Sequence, residues 1–199
     1  MYCTPAGDPD NGSPLHPAPC TQPTEDHVTL DPQLPTTINL IGMPGAGKST
    51  VGVILAKLTG LAFTDTDLAI QLREEATLQE IVDSRGNAAF RRVEEEVLLE
   101  VDLERAVIST GGSVVYSEAA MQRLREAGPV VYLHADLATL EARVAAAPLR
   151  GISREGGQSF ADIYAERTPL YERYADVTVD ATCGSADNVA ALVIEALRR

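Results

Sequence analysis

The octapeptide Gly42-Met43-Pro44-Gly45-Ala46-Gly47-Lys48-Ser49 has the residue types and spacing to hold a polyphosphate. It fits the pattern Gly, any four residues, Gly, Lys, Ser/Thr. The glycines let consecutive backbone N–H groups converge on one point that a Cβ would obstruct. Lys48 adds a mobile cation able to follow β- and γ-phosphate oxygens. The Ser49 hydroxyl can take one place on Mg²⁺, a cation that prefers oxygen ligands and keeps its waters. Gly45, Ala46, Gly47, Lys48, Ser49 and Thr50 are the expected phosphate contacts, and a nucleoside triphosphate is the expected ligand.

A second group of residues is suited to work on whatever meets that phosphate. Asp65 and Asp67 form an Asp-x-Asp that reads either as a turn with a helix N-cap or as a chemical pair. In the second reading one carboxylate approaches Mg²⁺ and the other accepts a proton or hydrogen bond from a substrate hydroxyl. Arg91, Arg92 and Glu94 lie on a charged helix that reads equally as a solvated face. Gly111 and Gly112 permit either a simple turn or close backbone approach to a ligand. Arg143, Arg150, Arg154 and Arg167 together can form a basic rim in an otherwise acidic chain. Phosphoryl transfer needs such a rim, because its transition state spreads charge over three oxygens.

The elements that must position these residues follow from hydrophobic pattern. Short apolar segments at 37–41, 62–64, 106–109, 130–133 and 177–180 read as strands. Helix patterns fall at 48–58, 67–73, 78–85, 87–100, 118–127, 137–146, 160–173 and 185–198. Strands separated by helices predict a three-layer α/β fold, a parallel sheet covered on both faces, with ligands at the carboxyl ends of its strands. Residues 147–158 combine three glycines, a proline and two arginines and read as a mobile loop. Asp136 reads as an N-cap and His134 as structural. Asp83-Ser84-Arg85-Gly86 imitates a GTPase switch, but no Asn-Lys-x-Asp guanine-reading element accompanies it.

Composition sets the outer bounds. The 199 residues suit one domain plus an extension. Residues 1–36 hold eight of the twelve prolines, five acids and neither Lys nor Arg. Too few large apolar groups are present there to offset the entropy of ordering, so a disordered acidic tail is expected ahead of a domain spanning 37–199. The net charge of −13 argues against nucleic acid and anionic membranes as partners. Cys3, Cys20 and Cys183 lack metal-ligand spacing, no apolar run reaches spanning length, and no secretory signal is visible. A cytoplasmic monomer acting on a small molecule is expected.

Taken in order, the motifs Gly42–Ser49, Asp65-Thr66-Asp67, Phe90-Arg91-Arg92-Val93-Glu94, Ser109-Thr110-Gly111-Gly112 and Arg167-Thr168-Pro169-Leu170-Tyr171 make the chain similar to the shikimate kinase family of small P-loop metabolite kinases. The resemblance covers roughly residues 37–199. It implies a P-loop kinase fold, a five-stranded parallel sheet with a lid loop at about 147–158 and a separate substrate-binding helical region. It implies ATP and Mg²⁺, with Lys48 on the β- and γ-phosphates and Ser49 and Asp65 at the metal. Asp67 would orient the acceptor hydroxyl as general base. Arg91 and Arg167 would clamp the substrate carboxylate, with Glu94 fixing Arg91, and Gly111 and Gly112 would line the pocket. Arg143 would stack near adenine, and Arg150 would swing in from the lid.

Two positions depart from the family pattern. Ser113 stands where a third glycine is usual, and Gly151 stands after Arg150 where proline is usual. A side chain at Ser113 is expected to shrink or repolarise the acceptor pocket. The resemblance makes phosphorylation of the shikimate 3-hydroxyl the leading expectation, and the two departures bear on acceptor identity. A kinase for a smaller hydroxy acid such as homoserine stands beside it, and a non-catalytic nucleotide-binding regulator is the reading from another class.

Overall fold

The computed structural model describes residues 32–146 and 157–199. Five strands form one parallel sheet: β1 (Ile38–Ile41), β2 (Ala62–Asp65), β3 (Ala106–Ser109), β4 (Val130–His134) and β5 (Val177–Asp180). Their order across the sheet is β2-β3-β1-β4-β5. The helices are α1 (Lys48–Thr59), α2 (Thr66–Glu74), α3 (Leu78–Glu100), α4 (Glu118–Ala127), α5 (Leu137–Ala146), α6 (Phe160–Tyr174) and α7 (Ala186–Leu197), with a 3₁₀ turn at Val114–Tyr116.

Strand order fixes where a ligand can sit. The chain leaves central β1 for the β2 edge, returns through β3, and only then crosses to β4 and β5. Right-handed crossovers in opposite directions put α1 on one face and α3 and α4 on the other. The contacts agree: α1 packs on β3 and α7, and α3 packs on α4. The reversal opens a crevice beyond the carboxyl end of β1, where residues 42–49 begin.

All four residues of β1 and of β3 are buried, as strands covered on both faces require. The main core joins Ile38, Leu40, Ile41, Val107, Ile108 and the Val130–Leu133 run with α1, α4 and α7. Asn39 is a buried polar residue of β1. Asn39 Nδ2 donates to the Leu124 and Gly128 carbonyls at 2.9 Å, closing the end of α4. A second, smaller cluster of Ile70, Ile81, Phe90, Val93 and Val97 joins α2 to α3. That pair forms the separate helical region expected beside the sheet.

Helix ends follow local rules, with one informative exception. Thr77–Glu80, Ser159–Asp162 and Ser185–Asn188 build reciprocal capping boxes at α3, α6 and α7. Ser117 caps α4, and Asp136 accepts from Thr139 N at 2.9 Å ahead of α5. Helix α1 alone among those with an assigned cap residue has no side-chain cap, and its first turn holds no acid. Its orphan N–H groups stay available. The expected break at Gly86 is present: α3 runs continuously except there, where φ is 77° and ψ 167°.

Candidate active site

The phosphate loop is shaped by glycines whose replacement the backbone resists. Gly45 and Gly47 have φ of 86° and 92°, a region side chains avoid, and Gly42 lies against the Leu133 carbonyl. Ala46 N donates to Met43 O at 3.1 Å, curling the loop. Lys48 is almost wholly buried, and its Nζ donates to the Gly42 and Met43 carbonyls at 2.8 and 3.1 Å. The ammonium thus sits in the concavity of its own loop, backed by the open end of α1. Arg143 donates to the Gly45 carbonyl at 3.4 Å and to the Ala181 carbonyl at 3.0 Å, tying the loop to the segment after β5.

Parallel register makes Ser109 a common neighbour of the two expected metal ligands. Asp65 pairs with Ser109 across β2 and β3, and Ser109 Oγ lies 3.4 Å from Ser49 Oγ. Ser109 was no sequence candidate; only strand register reveals it. Asp65 also caps α2, accepting from Asp67 N at 3.0 Å, as the turn reading of the Asp-x-Asp expects. Among the described residues no group of three or more His, Cys, Asp or Glu side chains gathers. A hydroxyl and one carboxylate beside a polyphosphate cradle suit Mg²⁺, which takes few protein ligands and completes its shell with phosphate and water.

The second half of the site is built around Gly111 and Gly112. Gly111 N donates to Thr66 Oγ1 at 3.0 Å. A Cβ on Gly111 would overlap the Glu94 carboxylate and lie 3.1 Å from Asp67 Oδ1, so both carboxylates face this one backbone position. A Cβ on Gly112 would lie 3.0 Å from Pro44 Cδ of the phosphate loop and 3.2 Å from Arg167 Nη1. The glycines therefore mark the seam where loop, carboxylates and guanidinium meet. Burial pushes the Tyr171 phenol pKa up, keeping it a neutral donor, and its OH donates to the Gly112 carbonyl at 2.5 Å.

Glu94 is 7% exposed, and burial pushes its pKa up to about 7. The Ser113 hydroxyl, which donates to Glu94 Oε2, pulls it down. Asp67 pushes it up again, while Arg167 and Arg91 favour the charged form. The Ser113 hydroxyl is thus engaged by Glu94, and its side chain lines the cavity beside Arg91 and Tyr116. Ser113 has φ −97° and ψ 2°, a conformation open to any residue, so glycine is not demanded there.

The guanidiniums converge from two helices. Arg91 on α3 places its Cζ 4.1 Å from the centre of the Tyr116 ring. Arg167 on α6 is 1% exposed, lies 5.2 Å from that same centre and donates through Nε to Tyr116 OH at 3.3 Å. A cavity of about 220 Å³ opens beside them, bounded by Arg91, Glu94, Ser113 and Tyr116. Sequence reading passed over Tyr116, which stands in a stretch with no element signal. Thr50 is exposed on the first turn of α1, and Arg92, also exposed, lies on the rim of the cavity beside Arg91. Arg150, Arg154 and nearly all of the expected lid lie outside the described residues, as do positions 1–31 of the expected tail.

Comparison with known proteins adds the family. A protein-family description, shikimate kinase, matches residues 44–198. The shikimate kinase of Paracidovorax citrulli is 40% identical over 167 residues, covering 81% of this chain and 89% of that protein. That of Halorhodospira halophila is 39% identical, covering 82% of this chain and 94% of its own. Among solved structures, the shikimate kinase from Acinetobacter baumannii in complex with shikimate superposes with a TM-score of 0.72 at 32% identity. It covers 81% of this chain and 92% of its own.

Proposed function

The chain belongs to the shikimate kinase family, and from that premise we propose that it transfers the γ-phosphoryl group of ATP to the 3-hydroxyl of shikimate. The observation that carries the reading is the seam at Gly111 and Gly112. There the phosphate loop, two carboxylates and Arg167 lie within contact distance of two adjacent residues. A pure nucleotide binder has no use for that second half. The solved relative bound to shikimate favours shikimate as acceptor. Relatives about 40% identical to this chain are shikimate kinases, which favours shikimate over the smaller homoserine.

In this reading the amides of residues 45–50 and the Lys48 ammonium grip the triphosphate, and the uncapped end of α1 adds its dipole. Arg143, held between Gly45 and Ala181, flanks the base. Ser49 and Asp65 would hold Mg²⁺, which would supply neutralisation of charge on the phosphate oxygens. Arg91 and Arg167 present paired N–H donors to the substrate carboxylate, a planar match that lysine cannot make. Asp67 takes the proton as the acceptor oxygen forms its bond to phosphorus, and the bond from phosphorus to the bridging oxygen of ADP breaks. Arg150 completes the charge rim. The protein works as a cytoplasmic monomer.

Asp67→Asn tests the division of labour. The turnover number falls about 10²–10⁴-fold, the range of a general base, while ATP affinity measured by calorimetry stays within about twofold. Normal turnover in this variant would remove Asp67 from the chemistry.

A further inference from the structure

We propose that Tyr116 is a positioning residue, a shared platform that holds the Arg91 and Arg167 guanidiniums in register to receive a carboxylate. The inference rests on the functional reading above. Two cations drawn toward one anion repel each other before the anion arrives, so something must hold them close. The electron-rich ring of Tyr116 lies 4.1 Å from Arg91 Cζ and 5.2 Å from Arg167 Cζ, within the range over which a ring attracts a cation. The two arginines come from helices 76 positions apart in sequence (167 − 91), and this one ring touches both.

The hydroxyl adds direction. It accepts from Arg167 Nε at 3.3 Å and hydrogen-bonds the Glu166 carboxylate, which this contact holds below the usual carboxylate range. Arg167 Nε is thereby engaged by the platform, which sets the orientation of its planar guanidinium. The 3₁₀ turn Val114–Tyr116 places the ring. Tyr116 N donates to Ser113 O at 3.0 Å, locking it to the segment that carries Gly111 and Gly112. Platform and acceptor backbone therefore move as one piece.

The test compares Tyr116→Phe, which keeps the ring, with Tyr116→Leu, which removes it, using shikimate and shikimate methyl ester as acceptors. Circular dichroism first establishes that both variants melt as the unaltered protein does. Tyr116→Leu raises the KM for shikimate about tenfold or more, with the KM for ATP and kcat within about threefold; Tyr116→Phe loses only a few-fold. With the ester, which presents no carboxylate, unaltered protein and Tyr116→Leu perform alike. A merely structural role would move ester and acid together. An unchanged shikimate KM in Tyr116→Leu, or an equal loss toward the ester, overturns the platform. An unaltered protein that phosphorylates no shikimate overturns the functional reading, and the platform with it.

Discussion

Asp67 and Glu94 approach one glycine from two helices, and burial makes them chemically unequal. Asp67 is half-buried, whereas Glu94 is enclosed and titrates near pH 7. That shift has a stability consequence whose sign is fixed. A carboxyl whose folded-state pKa stands above its unfolded value favours folding most at low pH, and the benefit is lost as pH rises from about 4.5 through about 7. Above that window the buried charge costs on the order of 3 kcal/mol. Glu94→Gln removes the charge and keeps the shape. Its melting temperature exceeds that of the unaltered protein by on the order of 5 °C at about pH 8, and the gap closes near pH 5. Equal melting at both values would show that Glu94 ionises as an ordinary surface acid. The proposed role of Glu94 in fixing Arg91 predicts weaker turnover in the same variant, measured beside its melting, as for a stability cost sustained by function.

At the scale of elements, the sequence made most of the frame legible. Period and punctuation placed all five strands and every helix within a residue or two, including the break at Gly86, whose φ of 77° suits glycine. Local chemistry also located Asp65 and Asp67, because a strand end followed by a helix start is written in adjacent residues. What stayed hidden depends on register or on distant partners. Ser109 reaches Ser49 only because β2, β3 and β1 align. Ser113 reaches Glu94 across 19 positions, and Tyr116 reaches Arg167 across 51. No neighbour in sequence announces those meetings. The segment 111–113 is the element most exposed to error, since its glycines are demanded by space. Gly111→Ala drives a methyl into the Glu94 carboxylate and toward Asp67. It lowers kcat/KM for the acceptor on the order of 10²-fold, while ATP affinity stays within about twofold. An acceptor constant that does not change would mean the two carboxylates do not face the reacting hydroxyl.

Across the whole molecule, strand order gathers the residues after β1, β2 and β3 at one crevice, with Arg91 and Glu94 from α3 and Arg167 from α6 beside them. An acidic chain of net charge −13 reserves several of its 16 basic residues for that place. No helix among the described residues is long and apolar enough to cross a membrane. The sheet carries the phosphate loop and the α2–α3 unit, with its own small core, carries Asp67, Arg91 and Glu94. The α2–α3 unit is joined to the main core through Leu98 and through the packing of α3 on α4, so its residues and the phosphate loop meet at the glycine seam. The most direct measurement is phosphoryl transfer by the purified full chain with ATP and Mg²⁺, offered shikimate and homoserine in parallel and followed by coupled ADP release and product mass. The account predicts ADP release matched one-for-one by shikimate 3-phosphate, with homoserine unchanged. Homoserine phosphorylation without shikimate turnover, or ATP bound with neither acceptor modified, would contradict it.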